Sequence, residues 1–218
     1  FDIVGYRIPS LNRLEKILGN QEGFLIDYFK LQGIYEQLEN MKSLTKEQQR
    51  NLASINPYYA KAFEQMKLQI DAKVAESKVK AGKRIREVPS VSEKKLFDAI
   101  MARYKGKVVM VDLWATWCGP CRGAIASFEP RKNKFKDKDV VFVYITNESS
   151  PESKWLEMVA GIEGEHYRLN RKQWDYICDY FGVDGIPSYV IVDRDGNARL
   201  RNDLRGSGML EQELSGML

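Results

Sequence analysis

The sequence predicts an α/β domain with a central mixed β-sheet and helices on both faces, preceded by a small all-helical region. Two observations predict the sheet. Short apolar runs alternate with amphipathic helical patterns after residue 92, and valine, which favours strands, occurs mostly after residue 89. Before that point the apolar residues recur at helical spacing. We therefore expect a helical region over 1–88 and an α/β domain over 89–218.

Four helices are predicted in the first region. The first lies near residues 9–18, and the second carries an apolar stripe at spacings of four and three, formed by Phe24, Tyr28, Leu31, Tyr35 and Leu38. Thr45 and Gln48 form a capping-box pattern for the third helix, and Asn56-Pro57 begins a long fourth one. Such stripes build a helical bundle core, or they dock a partner or a second copy of the chain; the sequence does not distinguish these alternatives.

The elements of the second region follow from their apolar patterns and end signals. The predicted strands are Lys107–Ala115, Asp139–Thr146, a short one at His166–Leu169, Ser188–Val192 and Ala198–Arg201. Helices begin near Ser92, Ser150 and Asn170, another runs from about Pro120 to Lys134, and a short one covers Met209–Leu218. The Asp193–Gly196 turn between the last two strands is a hairpin signal. This order predicts a parallel sheet with an antiparallel edge.

Charge and hydropathy exclude several classes of protein. No apolar run approaches the ~18 residues needed to span a bilayer, and no signal segment opens the chain. Because the first residue is Phe1, we expect any targeting or anchoring segment to lie outside this chain. The net charge of +4 comes mainly from a basic run over residues 73–87. That run lacks interleaved aromatic residues, so it indicates a solvated helix end and no nucleic-acid partner.

Two cysteines separated by two residues follow the first predicted strand. Cys118 would lie at the N-terminus of the next helix, where unpaired backbone N–H groups and the helix dipole favour a thiolate. Cys121, one turn further in, would be close enough to form a disulfide yet more shielded. We therefore predict that Cys118 attacks and Cys121 resolves in thiol–disulfide exchange. Between them, Gly119 removes side-chain bulk beside the attacking sulfur, and Pro120 stiffens the first helical turn.

An aspartate interrupts the first strand. Asp112 stands within the apolar run, where an ionised carboxylate costs several kcal/mol unless it is paired or protonated. Desolvation should therefore raise the pKa of Asp112, which makes the residue suitable for proton transfer. The alternative is an aspartate that faces outward or is merely hydrogen-bonded.

These residues together resemble the thioredoxin fold. The resemblance rests on Trp117-Cys118-Gly119-Pro120-Cys121 at a strand-to-helix junction, Asp112 in the strand before it, and Ile186-Pro187 ahead of a hairpin. It covers about residues 92–218 and is most similar to TlpA/ResA-like envelope thiol–disulfide oxidoreductases. The preceding region resembles the helical segment found before such domains in Bacteroidetes-type envelope proteins.

The resemblance implies roles for individual residues. Asp112 would sit beneath the dithiol and accept the proton of Cys121. Pro187 would be a cis-proline whose loop faces the cysteines, and the backbone of Ile186 would pair with an extended substrate segment. Trp117 would be a half-exposed contact surface, whereas Trp114 is expected in the core.

Two departures from this family affect the tuning of the site. Thioredoxins usually have a proline five residues after the second cysteine, where this chain has Ala126; the later proline is Pro130. A lysine that often neighbours the buried aspartate is also missing from its usual place, and Tyr144 is our candidate to replace it.

A metal site or a structural disulfide accounts less well for the two cysteines. A zinc site needs about four ligands, and only Cys178 and His166 remain, without paired spacing, so no metal is expected. A purely structural disulfide would close a very short loop and stabilise little. Cys178 lies on an apolar helical face, which indicates a core cysteine, and His166 has no assigned role.

The sequence therefore predicts a protein-disulfide reductase that acts through Cys118 and Cys121 and binds no cofactor. Its expected partners are disulfide-containing proteins of the periplasm or cell envelope and an upstream electron-donor thiol protein. A homodimer through the helical region is possible, and a membrane anchor only through a segment outside this chain. The alternatives are a partner-binding or redox-sensing scaffold, and a disulfide isomerase or oxidant.

Overall fold

A computed structural model describes residues 13, 16, 17, 19, 23–39, 44–205 and 209–218. The chain forms two compact units, Phe1–Val74 and Ala75–Leu218. The predicted helix near residues 9–18 lies largely outside the described residues. No helix in the described ranges is both long and apolar enough to cross a membrane.

The first unit is helical, as predicted. It contains α1 (Phe24–Glu39), α2 (Lys46–Ser54) and the first part of α3 (Pro57–Gly82). Its small core consists of Ile34, Leu38 and Leu44, with Leu52, Phe63, Met66 and Ile70 packed against them. The predicted capping box is present, since Thr45 and Gln48 bond each other's backbone N–H groups.

The apolar stripe predicted on α1 is mostly exposed, so it does not form the bundle core, which was one of its two predicted roles. Leu38 is buried, but Phe24, Tyr28 and Tyr35 are 70%, 53% and 47% exposed. The buried face instead includes Ile26, Lys30 and Ile34. Helical spacing predicts an apolar stripe, but it does not show which of two apolar faces the unit's own core covers.

The second unit contains a five-stranded mixed sheet. The strands are β1 (Val108–Leu113), β2 (Val140–Asn147), β3 (Glu165–Leu169), β4 (Ser188–Val192) and β5 (Ala198–Leu200), in the order β3-β2-β1-β4-β5. The β1–β2 and β2–β3 pairs are parallel, whereas β1–β4 and β4–β5 are antiparallel. This confirms the predicted mixed sheet and its hairpin edge.

Helices cover both faces of the sheet. They are α4 (Glu93–Met101), α5 (Gly119–Phe128), α6 (Glu152–Val159), α7 (Arg171–Phe181) and α8 (Met209–Gly216). Val109, Val111 and Leu113 of β1 face a core shared with α4 and α7. Val108 and Met110 face the opposite core, which α5 and α8 close. Asp112 follows the same alternation, so it lies on the α5 side of the sheet.

The helix after the cysteines is shorter than predicted. We expected it to run from Pro120 to Lys134, but α5 ends at Phe128 and a 3₁₀ segment, Glu129–Phe135, continues the chain. Pro130 explains the change, because proline lacks an N–H and its ring would clash with the carbonyl of Ala126 in a continuous α-helix.

The end of the basic run is fixed within the second unit. Ile85 forms a parallel bridge with His166 of β3, and backbone bonds of 2.9 Å join Arg86 N–H to His166 O and His166 N–H to Arg84 O. The Arg84 guanidinium donates to the carbonyls of Val159 and Ala160 at the end of α6. The expected solvated helix end therefore does not extend to these arginines. The predicted domain boundary at residue 89 stays a prediction.

Candidate active site

The dithiol lies where β1 passes into α5. Cys118 is the N-cap residue of α5, and the backbone N–H of Cys121 donates to its Sγ at 3.2 Å. The two cysteines form a disulfide. Cys118 is 5% exposed and Cys121 is fully buried, so Cys118 is the more accessible sulfur. An anion on Cys118 would be stabilised by the N-terminal N–H groups of the helix.

The two residues between the cysteines begin the helix. Pro120 occupies the first turn of α5, where its missing N–H costs nothing. A Cβ added at Gly119 would meet no atom within 4 Å. The space beside Gly119 is therefore open, and its predicted role in removing bulk near the sulfur stays a prediction.

Asp112 is buried at the centre of the sheet. It is 1% exposed, and it pairs with Tyr144 across the β1–β2 ladder and with Tyr189 across the β1–β4 ladder. Its Oδ1 has no hydrogen-bond partner among the described residues. Burial raises the pKa of Asp112 from 3.8 to about 8, although the positive charge of Lys132 acts to lower it. This carboxyl can therefore take up and release a proton near neutral pH.

Lys132 is a charged neighbour of Asp112 that we did not predict from the sequence. It lies in the 3₁₀ segment after α5, is 5% exposed, and places its Nζ 4.7 Å from the centre of the Tyr144 ring. Tyr144, our candidate for the place of the missing lysine, does lie beside Asp112. Burial raises its pKa well above the usual value, so it stays a neutral phenol. Lys132 therefore supplies the positive charge.

A signal for Lys132 was present in the sequence. Phe128, Lys132 and Phe135 recur at spacings of four and three, and all three are buried. A lysine on the same stripe as two buried phenylalanines should be expected to enter the core with its apolar stem.

The Ile186–Pro187 turn faces the dithiol. Its peptide bond is cis, and the carbonyl oxygen of Ile186 lies 3.7 Å from Cys118 Sγ. Arg205 holds this turn: its Nη2 donates to Asp184 Oδ1 at 2.8 Å, to the Gly185 carbonyl at 2.8 Å and to Ser188 Oγ at 2.6 Å. No sequence pattern pointed to Arg205, because its partners lie on a different element.

Two serines fix the loop before the cysteines. Trp117 is 62% exposed, and its indole Nε1–H donates to Ser149 Oγ at 2.9 Å. The neighbouring Ser150 hydroxyl accepts the backbone N–H of Thr116 at 3.0 Å. Trp114 is fully buried, which confirms its predicted core position. The indole of Trp117 therefore presents a flat surface beside the dithiol in a fixed orientation.

Cys178 and His166 do not join the site. Cys178 is half-buried on α7 rather than fully buried, and burial raises the pKa of its thiol to about 11, which disfavours a thiolate. His166 is buried, its ring is stacked on Tyr144, and burial lowers its pKa to about 3, so it is neutral. The described ranges contain no cluster of three or more His, Cys, Asp or Glu side chains that could hold a metal.

Comparison with known proteins identifies the domain. A thioredoxin-like family profile matches residues 106–198, the span from β1 to the start of β5 that contains both cysteines and the cis-proline turn. Residues 106–198 form a thioredoxin-like domain. This thioredoxin-like domain contains the dithiol at the N-terminus of α5 and the Ile186–Pro187 turn. It also contains the sheet up to the start of its last strand, β5.

Relatives of the thioredoxin-like domain include thioredoxins and a protein named as a thiol-disulfide oxidoreductase. It is 39% identical over 92 residues to the thioredoxin-like protein YneN of Bacillus subtilis, which covers 42% of this chain and 54% of that one. It is 24% identical over 92 residues to the thiol-disulfide oxidoreductase ResA of Bacillus anthracis, covering 42% and 52%. A 40-residue match with thioredoxin of Coprinus comatus is 42% identical and covers 18% and 38%. These matches span about half the length of the relatives or less.

Solved structures also resemble the chain. The thioredoxin domain of a thiol-disulfide oxidoreductase from Bacteroides vulgatus is 22% identical, with a TM-score of 0.48, and covers 54% of this chain and 84% of that one. A thiol:disulfide interchange protein of the thioredoxin family from Chlorobium tepidum is 24% identical, with a TM-score of 0.46, and covers 54% and 83%.

Proposed function

We propose that this protein is a thiol–disulfide oxidoreductase that reduces protein disulfides through Cys118 and Cys121. One observation carries the proposal: a disulfide-forming cysteine pair lies at the N-terminus of α5, and the strand that leads to it carries a buried carboxyl, Asp112, on its α5 side. Burial raises the pKa of Asp112 to about 8, which suits proton transfer. The similarity to proteins named thiol-disulfide oxidoreductases supports the same reaction class.

In the first step, the Cys118 thiolate attacks one sulfur of a substrate disulfide. A mixed disulfide forms between Cys118 and the substrate, and the other substrate sulfur leaves as a thiolate that takes a proton from water. The N–H of Cys121, which lies 3.2 Å from Cys118 Sγ, and the dipole of α5 stabilise the attacking anion.

In the second step, Cys121 resolves the mixed disulfide. Its thiol proton passes to the Asp112 carboxylate, and the resulting thiolate attacks Cys118 Sγ. The second substrate sulfur leaves as a thiolate, and the enzyme is left with the Cys118–Cys121 disulfide. Two electrons have then moved from enzyme to substrate, and an external dithiol must return them.

The substrate would lie across the surface that surrounds Cys118. The exposed Trp117 indole offers an apolar contact on one side, and the Ile186–Pro187 turn offers backbone groups on the other. An extended segment that carries a disulfide could pair with the Ile186 backbone there. Gly119 and Pro120 would form the part of this surface between the two.

We place the reaction in the periplasm or cell envelope, with a thiol protein as the upstream electron donor. This rests on the resemblance to envelope oxidoreductases. Dimerisation through the helical region and anchoring by a segment outside the chain are further proposals, which sedimentation analysis and membrane fractionation of the full protein would test.

A comparison of variants tests the activity. Wild type should reduce the disulfides of insulin in the presence of dithiothreitol, Cys118→Ser should lose this catalysis, and Cys178→Ser should retain it. Equal rates for wild type and Cys118→Ser would favour the alternative of a scaffold with an incidental dithiol. Equilibration of the wild type with glutathione would then measure its redox potential and separate a reductant from an isomerase or oxidant.

A further inference from the structure

The buried lysine beside Asp112 has no assigned function. Lysine is almost never buried without a partner, because its ammonium group loses hydration that the protein must replace. The Lys132 side chain is only 3% exposed. It also lies close to the proposed redox site, among the side chains that surround Tyr144.

Burial lowers the pKa of Lys132, and the groups around its ammonium act against that shift. Its Nζ donates to Glu129 Oε2 at 2.6 Å and to the backbone carbonyl of Glu163. It also lies 4.7 Å from the centre of the Tyr144 ring and 5.3 Å from that of Phe142, where the negative faces of aromatic rings attract a cation. Glu129 is held in turn, because its Oε1 accepts the N–H of Glu163 at 2.8 Å.

The same lysine interacts electrostatically with Asp112. Tyr144, whose ring lies under the Lys132 ammonium, is the direct cross-strand neighbour of Asp112. The other titratable groups that face Asp112 are Tyr144 and Tyr189, its partners on the two neighbouring strands. Burial raises the pKa of both phenols, so Lys132 is the charged group that acts on the carboxyl. Around Lys132 the ionisable groups are Asp112, Glu129, Glu163 and the neutral His166.

We propose that Glu129 and Lys132 form a positioning pair for Asp112, in which Glu129 keeps Lys132 protonated and Lys132 sets the pH at which Asp112 exchanges its proton. The catalytic consequence rests on the proposed function. Both residues belong to the 3₁₀ segment Glu129–Phe135 that follows the short α5, so this segment also brings a cation into the core.

The effect on the reaction follows from charge. Resolution requires Asp112 as a carboxylate that takes the Cys121 proton and becomes a neutral carboxylic acid. A nearby ammonium stabilises the carboxylate, so more of the enzyme is ready to accept the proton at neutral pH. Without Lys132, burial alone would keep Asp112 protonated to higher pH and slow resolution.

A carbon-13 NMR titration of the Asp112 carboxyl in the full, oxidised protein tests the pair. Wild type should titrate near pH 8. Lys132→Met, which keeps the apolar stem, should move the midpoint upward by about one pH unit or more, as for the loss of an opposite charge nearby. Lys134→Met is the matched control, because Lys134 is exposed in the same segment, and it should leave the midpoint unchanged.

A second variant keeps the test decisive if Lys132→Met does not fold. Glu129→Gln should also raise the Asp112 midpoint, because Lys132 loses the carboxylate that keeps it protonated. An unchanged midpoint in Lys132→Met would overturn the proposal, and so would an unchanged midpoint in Glu129→Gln. A merely structural role for the pair would lower stability in both variants without moving the midpoint.

The pH dependence of insulin reduction separates this proposal from the proposed function. In Lys132→Met the inflection of the rate should move upward with the Asp112 midpoint, while Lys134→Met follows wild type. If the midpoint moves but wild type reduces no disulfide, the positioning pair stands and the proposed function fails.

Discussion

At the scale of single residues, burial and charge act on Asp112 in opposite directions. Desolvation raises the pKa of its carboxyl, and the positive charge of Lys132 acts against this shift. The pKa that results from both effects is about 8. Asp112 could be predicted from the sequence because a carboxylate inside an apolar strand is conspicuous. Lys132 could not be predicted as readily, since a lysine in a charged segment is usually solvated, and only the flanking Phe128 and Phe135 reveal its buried side.

The raised pKa of Asp112 predicts a pH-dependent cost to stability. Below about pH 4 the carboxyl is protonated in both the folded and the unfolded state, so it costs nothing. Between about pH 4 and pH 8 the unfolded state ionises while the folded state stays protonated, and stability falls by about 1.4 kcal/mol per pH unit. Above pH 8 the cost is constant.

Asp112→Asn should remove this dependence. Urea unfolding of the oxidised proteins from pH 4 to pH 8 should show wild type losing stability relative to Asp112→Asn with that slope. A stability difference that stays constant over the range would mean that Asp112 has an ordinary pKa in the folded state.

At the scale of elements, the site depends on turns that distant residues hold. The first strand and the helix start at Cys118 are local and could be predicted from the sequence. The Ile186–Pro187 turn is held by Arg205, which follows the last strand and is far away in sequence. The face that α1 buries could not be predicted, because helical spacing does not show what covers a helix.

Arg205→Met should loosen the turn without changing the dithiol. Three hydrogen bonds from its Nη2 are lost, including two to charged or hydroxyl partners, so the Ile186 carbonyl is less well placed for a substrate. We expect kcat/KM for insulin reduction to fall about tenfold, mainly through KM, as for about 1.4 kcal/mol of lost binding. The redox potential should stay the same.

Arg199→Met provides a control, because Arg199 is an exposed arginine on β5. It should behave as wild type. Equal kcat/KM values for wild type and Arg205→Met would show that the turn keeps its position without the arginine.

At the scale of the whole molecule, two criteria divide the chain at different places. The composition shifts at Pro89, whereas the contacts between residues place the division between Val74 and Ala75. Contacts group residues 75–88 with the thioredoxin-like domain, where Ala81 and Ile85 pack in the cluster that contains both cysteines. The sequence could not indicate this, because a helical, basic segment gives no sign of the strand edge to which its end is bonded.

Truncation tests where the folded domain begins. A chain of residues 89–218 loses the buried Ala81, the bridge at Ile85 and the arginine bonds of Arg84 and Arg86. Its free energy of unfolding, measured by urea denaturation, should therefore be about 2–4 kcal/mol lower than that of a chain of residues 75–218. Equal stability of the two chains would support a boundary at residue 89.

The most direct test of the whole account is trapping of the mixed disulfide. Cys121→Ser removes the resolving thiol but leaves Cys118 at the helix N-terminus, so it should accumulate a covalent complex with a disulfide-containing protein that dithiothreitol releases. Cys118→Ser should form no such complex, and Cys121→Ser/Cys178→Ser should form as much as Cys121→Ser. The account would be contradicted if Cys121→Ser trapped no protein, or if Cys118→Ser trapped an equal amount.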